Sequence, residues 1–138
     1  MALQEANIYM VLNKIYNEDC IQGMNRLYAN SCDYAIWATK GKGWTFNRQR
    51  ETYENAIFEY PVVHHSKRIH PTQKPVELIE DIIKIHSNEG DIILDPFMGS
   101  GSTAIACLNT NRRYLGFELD SNYFKESNKR IMSFISLF

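Results

Sequence analysis

The chain has 138 residues, 44% of them hydrophobic and 22% charged, with a formal net charge of −1, so it suits a single core and lacks the global positive charge of a general nucleic-acid binder. Its three cysteines, Cys20, Cys32 and Cys107, are odd in number and have no C-x-x-C spacing, which argues against a disulfide framework or a zinc site and for a reducing compartment. The apolar runs are too short for a membrane span, and residues 1–13 carry acids and asparagines instead of a signal-peptide pattern, so a soluble, cytoplasmic protein with no bound metal is expected.

In chain order, residues 14–17 read as a strand, 20–28 as a short helix and 34–39 as a second strand. A segment of cations interleaved with aromatics follows, containing Lys40, Lys42, Trp44, Phe46, Arg48 and Arg50, and His64-His65-Ser66-Lys67-Arg68 adds a second basic cluster. Both can meet phosphates, although such clusters also occur as ordinary solvated loops. Residues 75–87 form an amphipathic helix with Val76, Ile79, Ile82 and Ile83 on one face. Asn88-Glu89-Gly90-Asp91 then turns the chain into a buried strand at 92–94, and 102–108 is the next helix, ended by Asn109-Thr110-Asn111. A strand at 113–117 leads to Glu118. Asp120 or Ser121 caps a last helix reaching about residue 133, with Tyr123, Phe124, Ile131 and Met132 as apolar contacts. No internal repeat or low-complexity tract is present.

Asp95-Pro96-Phe97-Met98-Gly99-Ser100-Gly101-Ser102-Thr103 lies between the strand at 92–94 and the helix that begins at 102. Glycines let backbone N–H groups approach a ligand, and the helix start adds unpaired donors and partial positive charge. The loop lacks the Gly-Lys-Ser/Thr of a nucleoside-triphosphate phosphate loop. Gly99-x-Gly101-x-x-Ala104 also fits the dinucleotide fingerprint, so a nicotinamide-dinucleotide protein remains open at this point. Glu118, at the end of the next strand, can accept two hydrogen bonds from a ribose diol, which fits an adenosine-containing cofactor.

Upstream stands His70-Pro71-Thr72-Gln73-Lys74-Pro75. With HPTQKP before DPFMGSG, and a strand ending in an acid after it, the chain resembles the β-type amino-methylating DNA methyltransferases over residues 14–50 and 67–132. The resemblance implies an α/β fold, a shortened Rossmann-like S-adenosylmethionine-dependent methyltransferase domain with a mostly parallel sheet. It implies methyl transfer from S-adenosylmethionine to the exocyclic amino group of adenine or cytosine in DNA, as in restriction–modification. The single domain would comprise a strand and helix at 14–33, a strand with the basic and aromatic segment at 34–69, and a cofactor-binding half at 70–138.

By the same resemblance, Asp95, Phe97, Gly99, Ser100 and Gly101 line the cofactor's methionine and sugar portions, and Glu118 holds the ribose hydroxyls. His70, Thr72, Gln73 and Lys74 sit beside the methionine carboxylate, where a cation and several donors suit an anion. Asp19 and Cys20 approach the adenine. Lys40, Lys42, Trp44, Arg48 and Arg50 border the DNA.

Members of that family carry D/N/S-P-P-Y/F/W, whose acceptors engage the target amino group. This sequence has four prolines, Pro61, Pro71, Pro75 and Pro96, and no Pro-Pro pair. The resemblance therefore assigns no catalytic residue. Asn30-Ser31-Cys32-Asp33 resembles the entry to the strand that precedes the tetrapeptide, whereas Tyr34-Ala35-Ile36-Trp37 resembles a much later strand. The chain thus reads as internally shortened near residues 31–34. Such a protein is expected to be either a DNA methyltransferase or a non-catalytic module that binds S-adenosylmethionine or DNA, and its uncovered faces would favour a homo-oligomer or a complementing methyltransferase subunit.

Overall fold

The structure is a computed structural model and describes residues 7–12, 32–41, 43–49 and 57–137. Five strands and three α-helices run in the order β1 (Asn7–Leu12), β2 (Cys32–Ala35), β3 (Ile57–Pro61), α1 (Val76–His86), β4 (Ile92–Asp95), α2 (Ser102–Asn109), β5 (Arg113–Gly116) and α3 (Ser121–Ile135), with one 3-10 turn at His65–Lys67. They fall into two compact units, one built from residues 1–44 and 50–62, the other from 45–49 and 63–138.

In the first unit β1 is the central strand, parallel to β2 and antiparallel to β3. Neither β1 nor β3 is among the elements expected from the sequence, yet each has its signal: Ile8 to Leu12 is an unbroken apolar run, and Ile57-Phe58-Glu59-Tyr60 is rich in β-branched and aromatic residues. The strand expected at 34–39 is instead β2, which ends at Ala35. The register explains this, because Leu12, the last residue of β1, pairs with Ala35, and beyond it Ile36 is 94% exposed. Trp37 and Trp44 meet edge to face, their ring centroids 5.1 Å apart. The strand expected at 14–17 and the helix at 20–28 lie outside the described residues.

The second unit pairs β4 with β5 in parallel, which obliges the intervening chain to cross over, here through α2. Two of the three strand pairings among the described residues are parallel, and the α/β class is as expected, but the described strands form two sheets instead of one. The core lies between the helices and one face of the β4–β5 ribbon. Met98, Ala104, Ile105 and Ile131 form one cluster, and Ile83, Ala106 and Cys107 another, with Val76 packing against both and Ile93 against the second. Burial pushes the Cys107 thiol up to about 11, Arg112 opposing the shift and Asp95 adding to it, so at neutral pH the group is a packed thiol.

Helix α1 runs as expected, but its most buried residues are Leu78, Ile83 and Ile85; Val76, Ile79 and Ile82 are only half-buried. In α3 the expected contact of Ile131 is buried, and Tyr123 is half-buried. Phe124 and Met132, also expected inside, are 54% and 65% exposed. The inward stripe follows residues 123, 127 and 131, the i, i+4 spacing of one helix face, and places Phe124 and Met132 off it. The other face of the β4–β5 ribbon carries Ile92, Leu94, Leu115 and Phe117, each more than half exposed. No helix among the described residues is long and apolar enough to cross a membrane.

Leu78 is fully buried whereas Leu119 is fully exposed. Leu78→Ala is therefore expected to cost about 2–5 kcal/mol in denaturant unfolding and Leu119→Ala less than about 0.5 kcal/mol.

Candidate functional site

The parallel pairing of β4 and β5 continues past the strand ends. Phe117 N–H donates to the Asp95 carbonyl at 3.0 Å, and Met98 N–H donates to the Phe117 carbonyl at 2.8 Å. The next donor, Gly99 N–H, reaches the Glu118 side chain at 2.7 Å. The glycine turn and the acid are thus held side by side at the carboxyl ends of two parallel strands, where open α/β sheets bind ligands.

The turn is built by its own side chains. Asp95 accepts from Phe97 N–H through Oδ1 at 3.0 Å and from the Thr103 hydroxyl through Oδ2 at 2.6 Å. Its carboxylate therefore folds the loop onto the start of α2. Gly99 and Gly101 have φ of +52° and +76°, the left-handed region that favours glycine. A Cβ on Gly101 would lie 3.1 Å from Ile131 Cδ1, so α3 packs directly on the loop. From the same helix the Arg130 guanidinium donates to the Ser100 carbonyl at 3.0 Å and the Ser102 hydroxyl at 3.2 Å. Ser100 is buried with its hydroxyl 3.1 Å from that of Ser102, so its side chain belongs to the frame of the loop. Phe97, by contrast, is 87% exposed.

The HPTQKP segment folds on itself in a similar way. Gln73 is buried; its N–H donates to the His70 carbonyl at 3.1 Å and its Oε1 accepts from Ile69 N–H at 3.0 Å. His70 Nδ1 accepts from Thr72 N–H at 3.3 Å and lies 3.1 Å from the Thr72 hydroxyl. The His70 ring covers Gly99, where an added Cβ would stand 3.4 Å from Cγ and Nδ1. The Lys74 carbonyl accepts from the Ser102 hydroxyl at 2.8 Å, tying the segment to α2.

Glu118 completes the group. Its Oε1 accepts from Asp120 N–H at 2.9 Å, and the Asp120 and Gly99 donors, aided by His70, hold its carboxyl below the ordinary carboxylate range. Each oxygen keeps a second lone pair for a ligand hydroxyl. An ionised acceptor, a glycine turn without side-chain bulk and a facing imidazole suit a ribose bearing an amino-acid tail, so these residues fit an adenosyl amino-acid cofactor.

The structure thus brings together His70, Thr72, Gly99 and Glu118, and arranges Gln73, Lys74, Asp95, Ser100 and Gly101 as the frame around them. Asp19, Cys20, Lys42 and Arg50 lie outside the described residues. Lys40 and Trp44 belong to the first unit and Arg48 to the second. In that 45–49 segment the specific contacts come from Asn47, whose N–H donates to the Ile85 carbonyl at 2.7 Å and whose amide donates to the carbonyls of Lys84 at 3.1 Å and Ser87 at 2.8 Å. It thereby satisfies carbonyls that the end of α1 leaves open. Phe46 meets His86 edge-on at 5.9 Å. From the sequence alone Tyr123 reads as a core contact, and nothing marks Thr103 or Arg130. A hydroxyl eight residues after Asp95 and a cation on the inward side of α3 are signals only once the turn is folded.

Gly101→Ala is expected to destabilise the second unit by about 1–3 kcal/mol, read by thermal or denaturant unfolding, since both the backbone conformation and the Ile131 contact oppose it. Because the folded-state pKa of Glu118 is depressed, its ionised form contributes stability above the ordinary carboxylate value of about 4.3, and this is lost as pH falls through the lower folded value. The stability gap between the parent chain and Glu118→Gln should accordingly narrow on acidification below about pH 4.3 and stay constant above it, as measured by urea unfolding across that range.

Comparison with known proteins identifies the family of the chain. A sequence profile of the N6/N4 methyltransferases, described as DNA methylase, matches residues 1–129. The type II methyltransferase M.HpaI of Haemophilus parainfluenzae is 38% identical over 90 residues, which are 63% of this chain and 29% of that protein. The type II methyltransferase M2.DpnII of Streptococcus pneumoniae is 47% identical over 62 residues, 45% of this chain and 23% of that protein. Among solved structures, the M1.HpyAVI–SAM complex superposes with a TM-score of 0.60 and 34% identity, covering 91% of this chain and 60% of that one. The chain spans less than a third of the first two relatives and three fifths of the third. On a match over nearly its whole length, the chain belongs to the N6/N4 DNA methylase family.

Proposed function

We propose that this protein is the S-adenosylmethionine-binding part of a DNA amino-methyltransferase acting on adenine-N6 or cytosine-N4, and that on its own it binds the cofactor without completing methyl transfer. The observation that carries the reading is the joining of Gly99 N–H to the Glu118 carboxylate at the ends of β4 and β5, with His70 over the same glycine. When bound, S-adenosylmethionine supplies an electrophilic methyl group. Glu118 orients its ribose through the lone pairs left free, while His70, Thr72 and Lys74 face the methionine carboxylate.

What the chain lacks is the second half of the reaction. The lone pair of an exocyclic amino nitrogen is delocalised into the base, and acceptors that favour a more tetrahedral nitrogen are needed to make it nucleophilic. The D/N/S-P-P-Y/F/W tetrapeptide that provides them in the family is absent from the sequence. We infer that transfer requires a partner chain, either a second copy or a complementing methyltransferase subunit. The open apolar face of Ile92, Leu94, Leu115 and Phe117 supports such a partner. DNA contact through Lys40, Lys42, Trp44, Arg48 and Arg50 belongs to the same proposal.

Calorimetric titration of the folded chain with S-adenosylhomocysteine tests the reading. Saturable binding is expected, weakened at least about tenfold, or 1.4 kcal/mol, in Glu118→Ala, with no competition from NADH. A cooperatively folded chain that binds nothing would remove the proposal, and competition by NADH alone would point to a dinucleotide site.

A further inference from the structure

A closed circuit of contacts runs through the candidate site. Gly99 N–H donates to Glu118 Oε2. Glu118 Oε1 accepts from Asp120 N–H. Asp120 Oδ1 caps α3 by accepting from the N–H groups of Asn122 at 2.8 Å and Tyr123 at 3.0 Å. The Tyr123 ring meets the His70 ring edge-on, centroids 4.4 Å apart at 67°, and the His70 ring returns to Gly99. Four of the five links involve the backbone or a short, capped side chain. The fifth, between the two rings, is the only one made wholly by side chains, and it joins the HPTQKP loop to α3.

From this circuit we propose that Tyr123 is a positioning residue: from the first turn of α3 its ring fixes the imidazole of His70 over Gly99, and so couples the histidine to the ribose-binding acid Glu118. The inference rests on the cofactor reading above for its binding consequence, but not for the placement of His70. Because Nδ1 of His70 accepts from Thr72 N–H, the proton of the neutral ring sits on Nε2, and the orientation of the ring sets where that donor points. A T-shaped aromatic pair is directional. It holds the ring plane, which a bond to Nδ1 alone leaves free to swing. The rings also need no hydroxyl for this task, so a phenylalanine at position 123 should serve.

The experiment has two readouts on the same variants. In the ligand-free chain, the carbon-bound ring protons of His70, assigned with His70→Gln, should show a ring-current shift that collapses in Tyr123→Leu and persists in Tyr123→Phe. In calorimetry with S-adenosylhomocysteine, Tyr123→Leu should weaken binding about three- to tenfold, whereas Tyr123→Phe stays within about twofold of the parent. A Glu118→Ala, Tyr123→Leu double variant should lose less than the sum of the two single losses. Should Tyr123→Leu fail to unfold cooperatively, Tyr123→Met carries the same comparison with apolar bulk retained. An unchanged His70 signal in a folded Tyr123→Leu or Tyr123→Met chain would overturn the proposal, as would undiminished affinity. A parent chain that binds no S-adenosylhomocysteine while its His70 signal collapses in Tyr123→Leu would sink the cofactor reading and leave the placement of His70 by Tyr123 supported.

Discussion

Everything in the second unit depends on the zipper of β4 against β5 running three residues further than the strands themselves. Ordinary strand pairing would bring the two ends near each other and leave the loops to wander. Here the Phe117 to Asp95 and Met98 to Phe117 bonds extend the ladder, and the Gly99 bond to Glu118 hands it from backbone to side chain. A single carboxylate therefore serves as the last rung of the sheet and as an acceptor for the start of the segment that leads into α3. Its position is set by the strand ladder itself.

Around that rung, three side chains are spent on shaping the loop and one helix on pressing it into place. Asp95 and Thr103 fold the turn, Ser102 fastens it to the HPTQKP segment, and α3 supplies Ile131 and Arg130 from behind. Desolvation lowers the pKa of Arg130 and Glu77 opposes the shift. A half-buried guanidinium on a loop carbonyl is a costly device to keep unless the loop's position matters.

Much of this was legible in the sequence. The glycine turn, the helix beginning just after Pro75, the Asp120 cap and the acid two residues past β5 were readable because each is a local signal, a few residues long, whose physics is decided within one turn of chain. Strand β1 is harder to read although its apolar run is plain. Its neighbours β2 and β3 lie far off in the sequence, and pairing over such distances has no local signature. The roles within the site were readable only in part. Asp95 and Ser100 sit in the expected motif, but which way a side chain points in a glycine turn depends on what packs behind it, and that was supplied by α3. The segment of cations and aromatics shows the same limit: its anchor is the uncharged Asn47, which composition alone gives no reason to choose.

Asn47 has a consequence for how the molecule comes together. The second unit is made of two stretches of chain, a five-residue piece at 45–49 and everything after 62, and the bonds of the Asn47 amide to the carbonyls at the end of α1 span 37 to 40 residues. Closing a loop of that size costs conformational entropy, growing as about (3/2)RT ln n, that helix formation within α1 does not incur. The carbonyls at the end of α1 are thus covered by an earlier part of the chain that folds back onto the helix. The ribosome delivers Asn47 first, and it must wait for a partner surface made almost entirely of residues that follow it.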